Sequence, residues 1–369
     1  MKILLTGGGT GGHIFPLVAV AKKMREKIGS ELELMYVGSG AQLEKDVMAH
    51  ENIQAKFVKS AKLRRYFSPE NFLDLWKVPV GMIQALWILL IFMPDAVFSK
   101  GGYASIPVVL AAWIYRIPVF IHESDAVPGL ANEFLAKFAK RIGVAYPSTE
   151  EFFPKDKTAF VGNPMRDNIA TGDAYSLRSK LGFTQSRKTI LVLGGSQGSK
   201  TVNDAIVKIL PKLLHRAQII HQTGEMDFER VVHFAAEEGI KAGHEGYYPV
   251  KFLDENFMRD AYALCDMVIG RAGANTIAEV AANGKPIILI PLEGSANDHQ
   301  RMNAYDLAKI GGAIVLEENN LGENIFLEKV DLILNDENLS RSMSEKIKTF
   351  YHPNATEKIA NAVIELAMA

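Results

Sequence analysis

Along the whole chain, short apolar runs alternate with longer segments of helical period. Strands this apolar must be covered on both faces, and the segments between them are the helices that cover them, so the pattern predicts an α/β protein with parallel sheets. Strands are expected at 3–6, 32–37, 55–58, 96–99, 119–122, 142–145 and 158–161, after which Gly162-Asn163-Pro164 breaks the chain. A second copy of the pattern begins at 189–193 and continues at 218–221, 250–253, 267–269, 287–290 and 314–316, with a helix starting near Thr201.

The two copies also echo one another in their loops. Each first strand runs into glycines, Gly7-Gly8-Gly9-Thr10-Gly11-Gly12-His13 in one and Gly194-Gly195-Ser196-Gln197-Gly198 in the other. Further on, Ser99-Lys100-Gly101-Gly102-Tyr103 before a helix and Pro118-Val119-Phe120-Ile121 parallels Gly270-Arg271-Ala272-Gly273-Ala274-Asn275 before a helix and Pro286-Ile287-Ile288-Leu289. Two Rossmann-like domains facing each other across a cleft, 1–163 and 164–351, account for this repetition, and 369 residues suit two cores better than one. A last helix at 356–367, within 352–369, closes the second domain or crosses back to complete the first.

Composition narrows the class. With 48% apolar and 22% charged residues the chain is globular, neither disordered nor fibrous. Cys265 is its single cysteine, which forbids an internal disulfide and suits a reducing compartment, and Met1-Lys2-Ile3 enters a strand with no room for a signal peptide, so a cytosolic protein is expected. The first 166 residues carry 20 Lys and Arg against 15 Asp and Glu, and the remainder 21 against 27, so an anionic partner or membrane surface suits the first half; no nucleic-acid partner is expected.

Residues 78–93 are nearly all apolar, interrupted by Gly81 and Gln84. Sixteen residues fall short of the roughly 20 that span a bilayer, so a buried helix is expected. Lys56, Lys59, Lys62, Arg64 and Arg65 precede it, interleaved or followed by Tyr66, Phe67, Phe72 and Trp76, which reads either as a lipid-contacting stretch or as a solvated basic loop.

Glycines between a buried strand and a helix let backbone approach a partner closely, here an oxygen-rich ligand or simply another part of a tight turn. His13 is the first polar side chain entering the helix beyond them. In the second copy, residues 270–276 open a helix whose N-terminus suits a diphosphate. Glu279 shares a face with Thr276 and either accepts hydrogen bonds from a ribose diol or forms a capping box with Thr276. The cluster Asn297-Asp298-His299-Gln300-Arg301-Met302-Asn303 offers groups that read sugar hydroxyls, or is a helix start capped by Asn297. No Asp-x-Asp triplet or His/Cys array is present, so no metal is expected and helix ends with Arg166 supply the positive field; the strict dinucleotide glycine pattern also fails at residues 7–12.

Taken in order, residues 7–13, Gly101-Gly102-Tyr103, His122-Glu123, Gly162-Asn163-Pro164 with Arg166, residues 194–198, Gly273-Ala274 through Glu279, and His299-Gln300 with Asn303 resemble the MurG-type N-acetylglucosaminyltransferases of glycosyltransferase family 28. These bacterial enzymes convert lipid I to lipid II in peptidoglycan synthesis. The resemblance implies the GT-B fold, no cofactor and inverting transfer from UDP-N-acetylglucosamine. It places Glu279 on the ribose, Ser196, Ala274, Asn275 and Thr276 near the phosphates, Gln300 and Asn303 on the sugar, and backbone near Leu253 on uracil, with Thr10, Gly11, Gly12 and Arg166 also on the donor side. The acceptor's diphosphate lies by Thr10 and Tyr103, with His122 and Asp125 nearby, and its 4-hydroxyl attacks the anomeric carbon with His13 as base; Glu123 is the competing base or orients a histidine. A peripheral position on the cytoplasmic side of the cytoplasmic membrane follows. The chain departs from the pattern at Ser124-Asp125, which adds a negative charge beside an anionic acceptor, and at Ala272, where a serine is usual. A sugar-nucleotide epimerase on the same fold and a catalytically silent binding subunit are the other readings.

Overall fold

The structure, a computed structural model, describes residues 1–60, 76–166, 168–195 and 198–369. The chain divides into two compact units, Met1–Arg166 with Pro353–Ala369, and Asp167–His352. The first contains β1 (Lys2–Thr6), α1 (Gly11–Ile28), β2 (Glu33–Gly38), α2 (Gln42–His50), β3 (Gln54–Phe57), α3 (Lys77–Phe92), β4 (Ala96–Ser99), α4 (Ser105–Ile114), β5 (Val119–Glu123), α5 (Leu130–Leu135), β6 (Arg141–Val144) and β7 (Thr158–Phe160). The second contains α6 (Ala174–Leu181), β8 (Lys188–Leu193), α7 (Lys200–Leu214), β9 (Ala217–Gln222), α8 (Phe228–Glu237), β10 (Tyr247–Val250), α9 (Glu255–Leu264), β11 (Met267–Gly270), α10 (Ala274–Asn283), β12 (Ile287–Leu289), α11 (His299–Lys309), β13 (Ala313–Val315), α12 (Glu323–Asn335) and α13 (Glu337–Ile347). A C-terminal helix, α14 (Ala355–Met368), returns to the first unit.

Burial of both faces explains why the central strands are apolar at successive positions. In the first sheet Ile3, Leu5, Tyr36, Phe98 and Phe120 pack on one side with α1 and α14, while Leu4, Met35, Val37, Val97 and Ile121 pack on the other with α3, α4 and α5. Ile359, Ala360 and Val363 of α14 join Leu17 and Ala21 of α1 in the first of these layers. This burial holds the C-terminal helix on the first unit; the exposed pairs Lys27–Glu357 and Arg141–Glu365, each 2.7 Å, add little.

Strand order decides where a ligand can sit. The sheets run β3-β2-β1-β4-β5-β6-β7 and β10-β9-β8-β11-β12-β13, with parallel pairing throughout. Order reverses between β1 and β4 in the first and between β8 and β11 in the second, so the connections after these four strands splay apart and leave a crevice at each sheet's carboxyl edge. All four glycine loops occupy these positions.

Two expectations need correction. The strand expected at 250–253 is β10, Tyr247–Val250. Pro249 lies inside it, which an edge strand tolerates because the missing N–H faces no partner strand. Lys251 to Leu253 lead instead to Asp254, which caps α9 by accepting the Phe257 N–H at 2.9 Å.

The apolar segment 78–93 forms α3, but not as a buried helix. Gly81, Ala85, Leu89 and Phe92 face the core, whereas Ile83, Trp87 and Ile91 are 67%, 64% and 67% exposed. Its two interruptions now have causes. A side chain at Gly81 would put Cβ 1.9 Å from the Lys59 carbonyl, and the Gln84 side-chain oxygen accepts the Lys59 N–H at 2.8 Å. Exposed Trp113 and Ile114 at the end of α4 extend the apolar face, and the Tyr115 hydroxyl bonds the Leu86 carbonyl of α3 at 3.3 Å. No helix among the described residues is long and apolar enough to cross a membrane. The aromatic and basic residues from Lys62 to Phe72 lie outside the described residues.

Candidate active site

In the first unit the glycines after β1 serve contacts within the protein. Gly8 and Gly102 meet backbone to backbone: a Cβ on Gly102, whose φ is +85°, would fall 2.6 Å from the Gly8 Cα. Gly9 is backed by Ser39, Ala41 and Glu44, and the Tyr36 hydroxyl donates to the Gly7 carbonyl at 3.1 Å. Burial, followed by the nearby Glu44 charge, raises the Tyr36 pKa, so the phenol remains a donor. What this packed loop leaves exposed at the start of α1 is Thr10 and Gly12, on either side of buried Gly11, with His13 half-buried beside them and half-buried Tyr103 following Gly102. Thr10 Oγ1 lies 3.0 Å from His13 Nδ1, which orients the imidazole.

His122 and Glu123, at the end of β5, sit behind this surface and are buried. Each Glu123 oxygen accepts two hydrogen bonds, Oε1 from the backbone N–H groups of Ser124 and Asp125 at 2.8 and 3.1 Å, Oε2 from the Gly129 N–H and the Asn132 amide at 3.1 and 2.9 Å. This carboxylate organises the loop carrying Asp125. Burial and the neighbouring Asp125 raise its pKa, against the pull of the Asn132 amide, the Asp125 N–H and Lys100. His122 Nε2 lies 2.9 Å from the Gly162 carbonyl, to which it donates, and burial followed by Lys100 holds the ring neutral. Arg166 stacks 4.5 Å from the ring centroid of Phe15 in the first turns of α1.

In the second unit Gln222, at the end of β9, ties the loop after β8 to the segment after β10, donating to the Gly195 carbonyl at 2.9 Å and accepting the Leu253 N–H at 3.4 Å. Leu253 is buried, so its amide is turned to Gln222. Ser196 lies outside the described residues. Ala274, Asn275 and Thr276 form the first turn of α10, whose cap residue is Gly273. Thr276 is therefore inside the helix, and the capping box with Glu279 does not form. Glu279 instead accepts a hydrogen bond from Tyr262 of α9 at 3.1 Å.

The segment before α11 also differs from a helix capped by Asn297. Asn297 and Asp298 have φ of +54° and +55°, two successive residues in the left-handed region, tolerated because their short polar side chains suit it. Gln300 follows and accepts the Leu292 N–H at 3.1 Å. Asn303, expected on the sugar, is fully buried and donates to the Ala272 carbonyl at 3.1 Å, so it holds the 270–275 loop from behind. Ala272 is likewise fully buried.

Four residues not singled out from the sequence brace these loops: Lys100, Asn132, Gln222 and Arg271. Buried Arg271 donates to Ser199 Oγ at 2.9 Å and to the Ile290 and Pro291 carbonyls at 3.1 and 3.3 Å, and pairs with Glu318 at 2.5 Å. Polar residues flanking glycine loops were the available signal, but only packing distinguishes a brace from a surface group. Among the described residues no group of three or more His, Cys, Asp or Glu side chains is placed to hold a metal ion.

Residues 3–144 match the Glycosyltransferase family 28 N-terminal domain and residues 189–359 the Glycosyltransferase family 28 C-terminal domain. The chain belongs to glycosyltransferase family 28. A family 28 relative from Halothermothrix orenii, the UDP-N-acetylglucosamine--N-acetylmuramyl-(pentapeptide) pyrophosphoryl-undecaprenol N-acetylglucosamine transferase, is 37% identical over all of this chain and 99% of its own. The crystal structure of Acinetobacter baumannii MurG is 26% identical with a TM-score of 0.75, covering 99% of each chain, and the two Rossmann-like units are those of the GT-B fold. The UDP-GlcNAc 2-epimerase of Neisseria meningitidis also superposes, with a TM-score of 0.68 over 99% of this chain and 100% of its own, but at 14% identity it shares the fold alone. Fold therefore does not separate transferase from epimerase, whereas membership of family 28 does.

Proposed function

We propose that this family 28 protein transfers N-acetylglucosamine from UDP-N-acetylglucosamine to the 4-hydroxyl of the muramoyl sugar of lipid I, inverting the anomeric centre to form the β-1,4 linkage of lipid II. The observation that carries this reading is full-length similarity to transferases of that name, in a chain whose glycine loops all lie at the two switch points. His13 takes the proton of the attacking hydroxyl at Nε2 while Nδ1 donates to Thr10, the pairing supported by their 3.0 Å separation. The bond from the anomeric carbon to the new oxygen forms as the bond to UDP breaks. Negative charge on departing UDP falls to the first turn of α10 at Ala274, Asn275 and Thr276 with the Ser196 loop, helped by Arg166. Glu279 takes the ribose, Gln300 the sugar, and the segment at Leu253 the uracil. Tyr103, Thr10 and the Gly11-Gly12 backbone hold the acceptor diphosphate beside Asp125. The saturated hydrogen bonding of Glu123 favours His13 as the base. Purified protein with UDP-N-acetylglucosamine should release UDP only when lipid I is added and yield a product heavier by one N-acetylhexosamine; no UDP release under either condition overturns the reading.

The donor side has its own test. Glu279→Ala should raise donor KM by about ten-fold or more, the loss expected for a hydrogen bond to a charged group, with a smaller change in kcat. Tyr262→Phe, which frees the carboxylate from its orienting phenol, should move donor KM in the same direction by less. An unchanged donor KM in Glu279→Ala would remove the residue from donor binding and leave it a role within the protein, as a partner of Tyr262.

The exposed face of α3 supports a peripheral position on the cytoplasmic side of the cytoplasmic membrane. Ile83, Trp87 and Ile91 with Trp113 and Ile114 offer apolar contact, and Lys59, Lys77 and Arg116 beside them are exposed to meet anionic headgroups. Replacing Ile83 and Trp87 by glutamate should weaken binding to anionic vesicles by at least about ten-fold while leaving turnover of a water-soluble, short-chain acceptor intact. Equal binding of wild type and variant would refute lipid contact by this face.

A further inference from the structure

Lys100 is only 2% exposed at the end of β4, and its ammonium is shared between two uncharged acceptors, His122 Nδ1 at 2.6 Å and the Ser124 hydroxyl. Burying a lysine without a direct carboxylate contact is costly, so something must be gained from its charge. The two acceptors begin two relays. His122 passes its Nε2–H to the Gly162 carbonyl at 2.9 Å, and Ser124 donates to the Asn163 side-chain oxygen at 2.8 Å. Both relays end on the same turn, which leads through Met165 to Arg166 on α1. Lys100 itself is anchored under the first glycine loop, its N–H bonded to the Thr6 carbonyl at 2.9 Å. Lys100 thus ties these segments together, its backbone to the end of β1 and its ammonium, through His122 and Ser124, to the turn that follows β7.

The same geometry bears on the charge that the sequence placed oddly. Asp125 adjoins Ser124, and the backbone N–H groups of both residues are held by Glu123. A carboxylate at this edge repels a diphosphate unless a cation lies close behind it. We propose that Lys100 is a positioning residue for the acceptor: it clamps the loop from His122 to Gly129 against the Gly162-Asn163 turn and offsets the charge of Asp125, so that an anionic, diphosphate-linked sugar is accepted. This rests on the acceptor site lying on the first unit. Burial lowers the Lys100 pKa, and the charges of Glu123 and Asp125 oppose that shift and help hold the proton on the amine.

The test is a double-mutant cycle read on lipid I and UDP-N-acetylglucosamine separately, with melting temperature recorded for every variant. Lys100→Met should raise acceptor KM about ten-fold or more and leave donor KM within about two-fold, because only the first unit's loops lose their cation. In an Asp125→Asn background the same substitution should cost much less, since the repelling carboxylate is gone. Lys100→Gln, which keeps a donor for Ser124 but no charge, should retain most of the acceptor defect, and it substitutes for the methionine variant if that does not fold. An unchanged acceptor KM, a parallel loss on both substrates, or an equal cost with and without Asp125 overturns the proposal. Failure of every Lys100 variant to fold, unrelieved by Asp125→Asn, overturns it too and assigns the lysine to the scaffold. Absence of transfer by the wild type would instead refute the function proposed above.

Discussion

Replacing His13 with alanine lowers kcat by about 10²-fold or more and leaves donor KM within about two-fold, the signature of losing a group that acts on the proton in the transition state. The donor is held chiefly by the second unit in this mechanism and makes no contact with His13 that binding would register. Thr10→Val should produce a weaker version of the same defect, because it removes the oxygen 3.0 Å from His13 Nδ1 and leaves the imidazole free to turn. His13→Gln, of similar reach but without a titrating nitrogen, should remain near the alanine rate. A near-normal rate in His13→Ala removes the residue from the base role, and Glu123, with both oxygens already accepting two hydrogen bonds, would need its loop dismantled before it could replace it.

Gly102→Ala is the second large effect, and it acts on stability. Its φ of +85° disfavours any side chain, and the new Cβ would lie 2.6 Å from backbone, the Gly8 Cα, which has no flexible atom to give way. Left-handed strain and overpacking together should cost about 3 kcal/mol or more. For a unit of this size that lowers its melting transition by roughly 6–12 °C, and transfer should be lost because the loop bearing His13 is pushed from its seat. Gly129→Ala is the control: no atom lies within 4 Å of its added Cβ and its φ is ordinary, so stability should stay within about 0.5 kcal/mol. Equal melting temperatures for Gly102→Ala and wild type would show that the two glycine loops do not bear on one another.

These two variants separate what glycine means in such loops. Gly7, Gly8 and Gly9 suggested approach to a ligand, yet their neighbours are Leu17, Gly102, His13 and Glu44 within the protein. The exposed part of the motif begins later, at Thr10. In the second unit the same shift of emphasis applies to Asn303, a polar residue in the right cluster that turns inward to Ala272, and to Glu279, whose spacing from Thr276 imitates a capping box although the helix starts three residues earlier, after Gly273. Sequence spacing gives the face of a helix on which a residue lies; it does not give the residue at which the helix begins.

What the sequence determined by itself was the part written in periodicity: parallel strands, two copies of one plan, and glycine loops after β1, β4, β8 and β11, because strand alternation and turn chemistry are local properties. Packing between distant segments decided the rest. Helix α3 is apolar on nearly every side, which from the sequence reads as a buried helix, yet its neighbours cover only the stripe through Gly81, Ala85, Leu89 and Phe92. The return of α14 to the first unit depends on which sheet leaves an apolar face for Ile359 and Val363. Lys100 reads in sequence as one more surface lysine before a glycine pair. Only the convergence of β4, β5 and the Gly162-Asn163 turn makes it a buried cation, since burial and charge pairing are properties of residues far apart in the chain.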